Sequence, residues 1–228
     1  MRKVRDLERT REAIFKAGLA EFSAKGLAGA RTDAIARRAG VNKRMLFYCF
    51  GSKEGLYHAV LKRKIEEKGR VIETLSDDLV AGLPQMYDEG CADLDWVRMM
   101  EWEALASNHR ALVGEEDRRA LFESALNKLR ATQRKGGFAP GADLPHIFIS
   151  LLAVNIFPLA FPQIIRLMTG MAPTDPNFKT KHREFLRWLG ERLKGAQAVQ
   201  ADQGAKTAAA AGSAKRRNGS KAHLEAQR

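Results

Sequence analysis

Two pairs of basic side chains and a group of aromatic rings lie within seventeen residues of the sequence, AIARRAGVNKRMLFYCF, residues 34–50. The basic pairs are Arg37–Arg38 and Lys43–Arg44, and the aromatic residues begin three residues after the second pair, at Phe47. Small residues and a glycine between the pairs favour a tight bend, from which one short helix can project. Cationic groups on a projecting helix bind a polyanion, and DNA is the obvious candidate.

Capping residues divide this stretch into two short helices. Thr32 precedes DAIARRAG as a predicted N-cap, and Gly40 ends that helix after about two turns. Asn42 is a second predicted N-cap and opens the second of these short helices, KRMLFYC, which is the third helix of the chain. Two short helices around a glycine are typical of a helix-turn-helix, whose second helix enters the major groove. A three-helix bundle that binds no DNA is the alternative that this pattern leaves open.

The rest of the chain also shows helical patterns. An apolar stripe over residues 6–25 predicts a first helix that ends at Gly26, and Ser52 is the predicted N-cap of a long connecting helix. Four apolar residues are expected to pack against the first helix: Ile35, Val41, Leu46 and Phe50. Further helices are predicted near 84–92, 95–107, 115–135, 145–170 with a bend at its prolines, and 177–195. Because no long stretch alternates with period two, the predicted fold class is all-α.

The net charge of +12 is divided unevenly along the chain. Residues 1–64 hold 16 Lys/Arg against 6 Asp/Glu, residues 65–195 hold 17 against 19, and residues 196–228 hold 6 against 2. A separate basic module is typical of nucleic-acid binding, whereas a surface charged only for solubility has a more even distribution. The last segment is rich in Ala, Gly, Gln and Lys, so a disordered basic tail is expected for residues 196–228.

Several classes of site and location are disfavoured. Cys49 and Cys91 match no disulfide framework or metal-ligand spacing, which favours a reducing compartment and predicts no metal site. No apolar signal segment follows the N-terminus, so we expect a cytoplasmic protein. The uncharged stretch Leu144–Ile165 approaches the length of a membrane span, but its polar residues and two prolines favour a buried helix.

The segment RTDAIARRAGVNKRMLFYCFGSKEGLY, residues 31–57, resembles the N-terminal signature of the TetR family of bacterial transcriptional regulators. The matching positions are Thr32, Ile35, Ala36, Ala39, Gly40, Val41, Leu46, Phe50, Ser52, Lys53, Glu54 and Leu56. The resemblance covers about residues 8–62. It implies a homodimer that binds a palindromic operator in double-stranded DNA through two recognition helices. It also implies an N-terminal helix-turn-helix DNA-binding domain, residues 1–62, and a helical ligand-binding and dimerisation domain, residues 63–195.

The resemblance also assigns candidate DNA contacts. Six residues are predicted: Lys43, Arg44 and Met45 at base edges, and Thr32, Tyr48 and Lys53 at phosphates. The chain departs from the family pattern at Phe47 and Cys49, where family members often carry donors to phosphate. Arg44 replaces a smaller residue, and an arginine can bind guanine O6 and N7.

Six residues are candidate contacts to a small-molecule effector: Trp96, Met99, Met100, Glu103, His109 and Asn155. Trp and Met side chains are bulky and adaptable, and a few polar groups in an apolar cleft fix the orientation of a ligand. The same helical spacing is also expected of a packed core, and Glu103 could pair with an arginine instead.

The last predicted helix has an apolar face that is wide for a surface helix. The face consists of Phe185, Leu186, Trp188, Leu189 and Leu193. Together with residues 145–170 it predicts a four-helix dimer interface about a two-fold axis, and packing within the chain is the alternative.

The sequence therefore predicts a dimeric DNA-binding regulator, a repressor that a small molecule releases from its operator. A ligand-independent regulator or an activator is the alternative within the family, and a helical enzyme or a membrane-surface protein is the alternative outside it. Because no nucleophile-elbow, zinc-protease, Walker or dinucleotide motif occurs, no enzyme and no cofactor are expected.

Overall fold

The computed structural model describes residues 2–106, 112–138 and 141–194. These residues form helices and connecting turns with no strand among them, which confirms the all-α fold class. The helices are α1 (Arg2–Gly29), α2 (Thr32–Ala39), α3 (Lys43–Phe50), α4 (Lys53–Thr74), α5 (Leu79–Ala92), α6 (Leu94–Ala106), α7 (Glu115–Arg134), α8 (Leu144–Ala160), α9 (Pro162–Thr169) and α10 (Pro176–Leu193). The predicted tail, residues 196–228, lies outside the described residues.

The turn between α2 and α3 forms as the sequence predicts. Gly40 adopts the left-handed conformation with φ 68°, and the Val41 N–H donates to the Ala36 carbonyl at 3.0 Å. This is the backbone pattern of a Schellman ending, which favours glycine because a side chain is strained at positive φ. The Asn42 side chain then accepts from the Met45 N–H at 2.9 Å and caps α3. The two helices are thereby joined by a short, fully specified turn.

The start of α2 differs from the prediction. Thr32 is the first helical residue rather than the N-cap, and Arg31 precedes it in an extended conformation without a side-chain capping bond. Instead, the Arg31 N–H donates to the carboxylate of Glu21 on α1 at 3.4 Å, and Lys25 donates to the same oxygen at 2.8 Å. Burial raises the pKa of Glu21, but these two bonds lower it by more, so its pKa lies below its usual value. A tertiary acceptor on α1 therefore holds the backbone directly before α2.

The first core joins the N-terminal helices to the centre of the chain. Ile35 and Leu46 are fully buried in it, while Val41 and Phe50 are half-buried and pack against it. Buried side chains of α1 and α4 complete most of this core, and α6 and α7 contribute Met99 and Leu121. The helix-turn-helix consequently rests on a core that it shares with the rest of the protein.

The second core lies between α5, α8 and α10. Tyr87 is fully buried in it and donates to the Pro173 carbonyl at 3.2 Å. The helix predicted for residues 84–92 begins earlier, at Leu79, because Asp78 caps it by accepting from the Val80 N–H at 3.2 Å. Pro84 lies inside this helix instead of at its start.

The apolar stretch predicted over residues 145–170 is two helices, α8 and α9, at 82° to each other. The break falls at Phe161, directly before Pro162, whereas Pro158 remains inside α8. No single helix of the described chain combines the length and apolar composition that a membrane crossing requires. The bent pair α8–α9 meets those two criteria only when its members are taken together.

Asp93, between α5 and α6, links three helices. Its carboxylate accepts from Lys64 at 3.0 Å and Lys68 at 2.6 Å on α4, and from the Trp96 N–H at 3.3 Å at the start of α6. Burial raises the pKa of Asp93, but the two lysines lower it by more, so its pKa lies below its ordinary value.

The variant Asp93→Asn is expected to lower the free energy of unfolding at neutral pH by about 1–2 kcal/mol, because it keeps a capping oxygen but removes the charge. Since the folded-state pKa is depressed, this stabilisation is present above the unfolded-state pKa and is lost as pH falls through the folded-state pKa. Urea unfolding at neutral and acidic pH measures both effects.

Asp77→Asn is the matched control, because Asp77 also pairs with two lysines but is exposed. A loss as large in the control, or a difference between Asp93→Asn and wild type that persists in acid, would contradict this account.

Candidate DNA-binding surface and effector cavity

One face of α3 is presented to solvent. Lys43, Arg44, Phe47 and Tyr48 are exposed, and Tyr48 retains 73% of its accessible surface. Leu46 lies on the opposite side of the helix and is fully buried. The exposed side chains combine two cations with two aromatic rings, which is the chemistry that contacts phosphates and base edges.

The structure brings most of the predicted DNA contacts to the same end of the protein. Thr32 is half-buried at the start of α2, and Lys53 at the start of α4 donates to the Ala30 carbonyl at 3.3 Å, just before α2. Met45 is half-buried and packs against the first core, so it is less available to a base than its neighbours. Phe47 is exposed on the face that carries Arg44, although it was not among the predicted contacts. Phe47 follows Lys43 by four residues, and this helical spacing in the sequence could have placed it on the same exposed face.

Ion pairs and hydrogen bonds hold this surface together. Lys43 pairs with Asp33 of α2 at 3.0 Å, and both groups are solvent-exposed. Arg11 of α1 donates to the Cys49 carbonyl at 3.1 Å, and its guanidinium lies 4.8 Å from the centre of the Phe50 ring. A cation at the C-terminal end of α3 interacts favourably with the helix dipole, and the Arg11 bond holds α3 against α1. Arg37 and Arg38 of α2 are exposed and add positive charge nearby.

A cavity of about 210 Å³ lies among α4, α5, α6, α7 and α8. Most of its lining is aliphatic and aromatic. Of the predicted effector contacts, Trp96, Met100 and Asn155 line it. Met99 is instead buried in the first core, and Glu103 is not part of the lining. His109 lies outside the described residues.

Glu103 forms a bidentate salt bridge with Arg118, with two N···O distances of 2.9 Å each. Arg118 also donates to the Val113 carbonyl at 3.1 Å and lines the cavity. Burial raises the pKa of the nearby Tyr57, and the negative charge of Glu103 raises it further. The described residues contain no group of three or more His, Cys, Asp or Glu side chains that could hold a metal ion.

Asn155 is the buried polar side chain of the cavity wall that has an unused hydrogen-bonding atom. The residue is 2% exposed, and its Nδ2 donates to the Leu151 carbonyl at 2.8 Å. Its Oδ1 has no partner among the described residues. A buried acceptor without a partner is unfavourable, so a hydrogen-bond donor that reaches this oxygen would be stabilising.

Family models match the two parts of the chain separately. Residues 14–60 match the model described as bacterial regulatory proteins, tetR family, and residues 78–192 match tetracyclin repressor-like, C-terminal domain. The chain belongs to the TetR family. The helices α2 and α3 are therefore its helix-turn-helix, and the protein is a DNA-binding transcriptional regulator.

Two relatives of this TetR-family protein are named HTH-type transcriptional repressors. SCO4008 of Streptomyces coelicolor is 28% identical over 166 residues, which cover 73% of this chain and 86% of the relative. NicS of Pseudomonas putida is 29% identical over 167 residues, which cover 68% of this chain and 78% of NicS.

Solved structures show the same fold. SCO4942 from Streptomyces coelicolor aligns with a TM-score of 0.68 at 26% identity, covering 81% of this chain and 98% of SCO4942. The ketosteroid transcriptional regulator KstR2 of Mycobacterium tuberculosis aligns with a TM-score of 0.59 at 15% identity, covering 81% of this chain and 94% of KstR2. At the lower identity the likeness concerns the fold alone.

The variants Lys43→Ala and Arg44→Ala are expected to reduce discrimination between the operator and a random duplex by about tenfold or more, because base-edge contacts carry the specificity. Fluorescence anisotropy on both duplexes at matched salt measures this discrimination. Arg119→Ala is the control, because Arg119 is an equally basic, exposed residue on α7. Equal losses on the two duplexes would remove Lys43 and Arg44 from base reading and leave them as phosphate contacts.

Proposed function

We propose that this TetR-family protein is a cytoplasmic homodimeric repressor that binds a palindromic operator and is released from it when a small molecule fills the cavity. The proposal adds two features to the DNA-binding role: regulation by a small-molecule effector and assembly into a dimer. The observation that carries it is α6, which has one tryptophan on the cavity wall and another against the DNA-binding helices. The two relatives are named repressors, which supports repression and not activation of transcription.

Helix α6 is in direct contact with both the cavity and the N-terminal helix α1. Trp96, near its start, lines the cavity. Trp102, near its end, donates from Nε1 to the Ser23 carbonyl of α1 at 3.2 Å. The Trp102 ring also packs where α1 breaks at Gly26, so that a Cβ on Gly26 would lie only 3.1 Å from its Cγ. A ligand that displaces α6 at the cavity therefore displaces the segment that leads into α2.

The proposed effect of the ligand is a shift between two arrangements of α6. A molecule that binds more tightly when α6 is displaced favours the displaced arrangement, and by linkage it weakens DNA binding by the same factor. The proposed DNA-binding domain, residues 1–62, and effector domain, residues 63–195, meet inside α4, which is continuous across the boundary. A continuous helix and a shared core favour motion of connected elements over free movement of two units.

The C-terminal helices offer a surface for a second copy. Phe185 and Trp188 of α10 are exposed and stack with ring centres 5.9 Å apart, and Trp188 retains 53% of its surface. Leu167 and Met168 of α9 are 83% and 77% exposed. Leu186 of α10 is fully buried in the second core, so only part of the apolar face of α10 is used within the chain. Exposed apolar side chains in such numbers favour a protein interface.

The proposed activity is binding without catalysis. Lys68 and Arg118, two charged residues that line the cavity, are engaged in ion pairs with Asp93 and Glu103. Groups that are held in this way suit a structural role in the wall of a binding cavity.

The variant Trp188→Glu is expected to shift the protein from dimer to monomer at micromolar concentration, because it places a charge in the proposed apolar interface. Sedimentation velocity measures the oligomeric state. Leu105→Glu is the control, because Leu105 is 79% exposed but lies on α6, which is not one of the proposed interface helices. A Trp188→Glu protein that sediments like wild type would assign the interface elsewhere.

The repressor mechanism is tested by selecting genomic fragments on the purified full-length protein and then adding compounds that raise its melting temperature. We expect the retained fragments to share an inverted repeat, and stabilising compounds to release them. Trp102→Phe keeps a ring on Gly26 but removes the donor to Ser23, so it is expected to bind compound normally and to release DNA less.

Operator titrations with and without compound measure this coupling in both proteins. Failure to retain any duplex at low ionic strength would contradict the DNA-binding part of the proposal. Full release of DNA by the Trp102→Phe protein would show that the effect does not pass through this hydrogen bond.

A further inference from the structure

We infer that the cavity selects an apolar effector whose polar end donates a hydrogen bond, through an O–H or N–H group, to Oδ1 of Asn155. A carboxylate in the same place is disfavoured. The inference rests on the proposed function only in calling the occupant an effector, since the chemistry of the cavity stands independently of DNA release.

The size of the cavity limits its occupant. An apolar cavity of about 150 Å³ in another protein binds benzene. The cavity among α4–α8, at about 210 Å³, therefore suits a molecule somewhat larger than one aromatic ring, such as a fused two-ring system. Trp96, Met100 and the neighbouring aliphatic side chains supply apolar contacts on several sides.

The orientation of the Asn155 amide follows from the helix that carries it. The Leu151 carbonyl lies one turn earlier and only accepts hydrogen bonds, so the amide nitrogen must face it. The oxygen then faces away from the Leu151 carbonyl; it is buried and without a partner among the described residues, in a residue that lines the cavity. A reversed amide would set two acceptors against each other and is unfavourable.

The cationic groups of the cavity wall are already engaged. Lys68 pairs with Asp93 at 2.6 Å, and Arg118 pairs with Glu103 at 2.9 Å. Lys128 donates to the Glu73 carbonyl at 3.1 Å and lies 3.6 Å from Asp77. An anionic ligand would have to break one of these interactions or remain unpaired in an apolar space, and both are costly.

Acceptors, in contrast, are available. Besides Asn155 Oδ1, the exposed carboxylate of Glu89 lines the cavity and forms no ion pair with another described residue. A ligand with a donor at one end satisfies the buried Asn155 oxygen without disturbing the ion pairs. Such a donor is expected to increase affinity about tenfold over the same apolar body without it.

Three probes with one ring system test the inference: naphthalene, 2-naphthol and 2-naphthoate. They differ in carrying no polar group, a donor, or an anionic acceptor. Calorimetric titration of the full-length protein near neutral pH, without DNA, is expected to rank 2-naphthol about tenfold above naphthalene and 2-naphthoate last.

The variant Asn155→Leu keeps a similar branched shape but removes the acceptor. It is expected to lower the affinity for 2-naphthol to that for naphthalene, while naphthalene binding is maintained. Thr132→Val is the matched control, because Thr132 is also a buried polar residue of the cavity wall, but its hydroxyl donates to the Lys128 carbonyl at 3.2 Å. The control is expected to keep the preference for 2-naphthol. Unchanged affinity of the unliganded Asn155→Leu protein for operator DNA reports that it is folded.

The inference is overturned if 2-naphthoate binds best, if Asn155→Leu retains the preference for 2-naphthol, or if none of the three probes binds. A separate operator titration distinguishes this failure from failure of the proposed function. Binding of 2-naphthol through Asn155 with no loss of operator affinity would support the inference and contradict release by an effector.

Discussion

The burial of Leu46 in the first core determines which face of α3 is exposed and available to DNA. Because successive residues of an α-helix are about 100° apart, burying this side chain turns Lys43, Arg44, Phe47 and Tyr48 toward solvent together. The Asn42 cap and the Arg11 bond at the two ends of α3 keep the short helix intact. An isolated helix of eight residues is marginal in water, so its stability comes from this packing.

The same core connects helices that line the cavity to the helices near the N-terminus. Met99 of α6 and Leu121 of α7 are buried together with side chains of α1 and α4, so the two halves share the first core. Trp102 adds a directed contact, since its Nε1–H holds the Ser23 carbonyl just before α1 breaks. A packed interior of this kind transmits a displacement instead of absorbing it.

Features set by neighbours within one turn were predictable from the sequence, and features set by tertiary contacts were not. The Asn42 cap was predicted correctly because its partner is three residues away. The Thr32 cap prediction was wrong: α2 begins at Thr32 itself, after Arg31, whose N–H donates to Glu21 on another helix. Met99 and Met100 are adjacent in sequence, and only the packing of α6 buries the first in the core and leaves the second on the cavity wall. The family signature therefore located the DNA-binding helices more reliably than helical spacing located the cavity.

Hydrogen exchange of the full-length protein, with and without a selected operator duplex, tests the central claim most directly. If the exposed face of α3 enters the DNA groove, peptides covering residues 32–53 gain protection from exchange on binding. Peptides covering α8–α10 should then remain unchanged. Protection concentrated on α8–α10, with none over α3, would contradict the account.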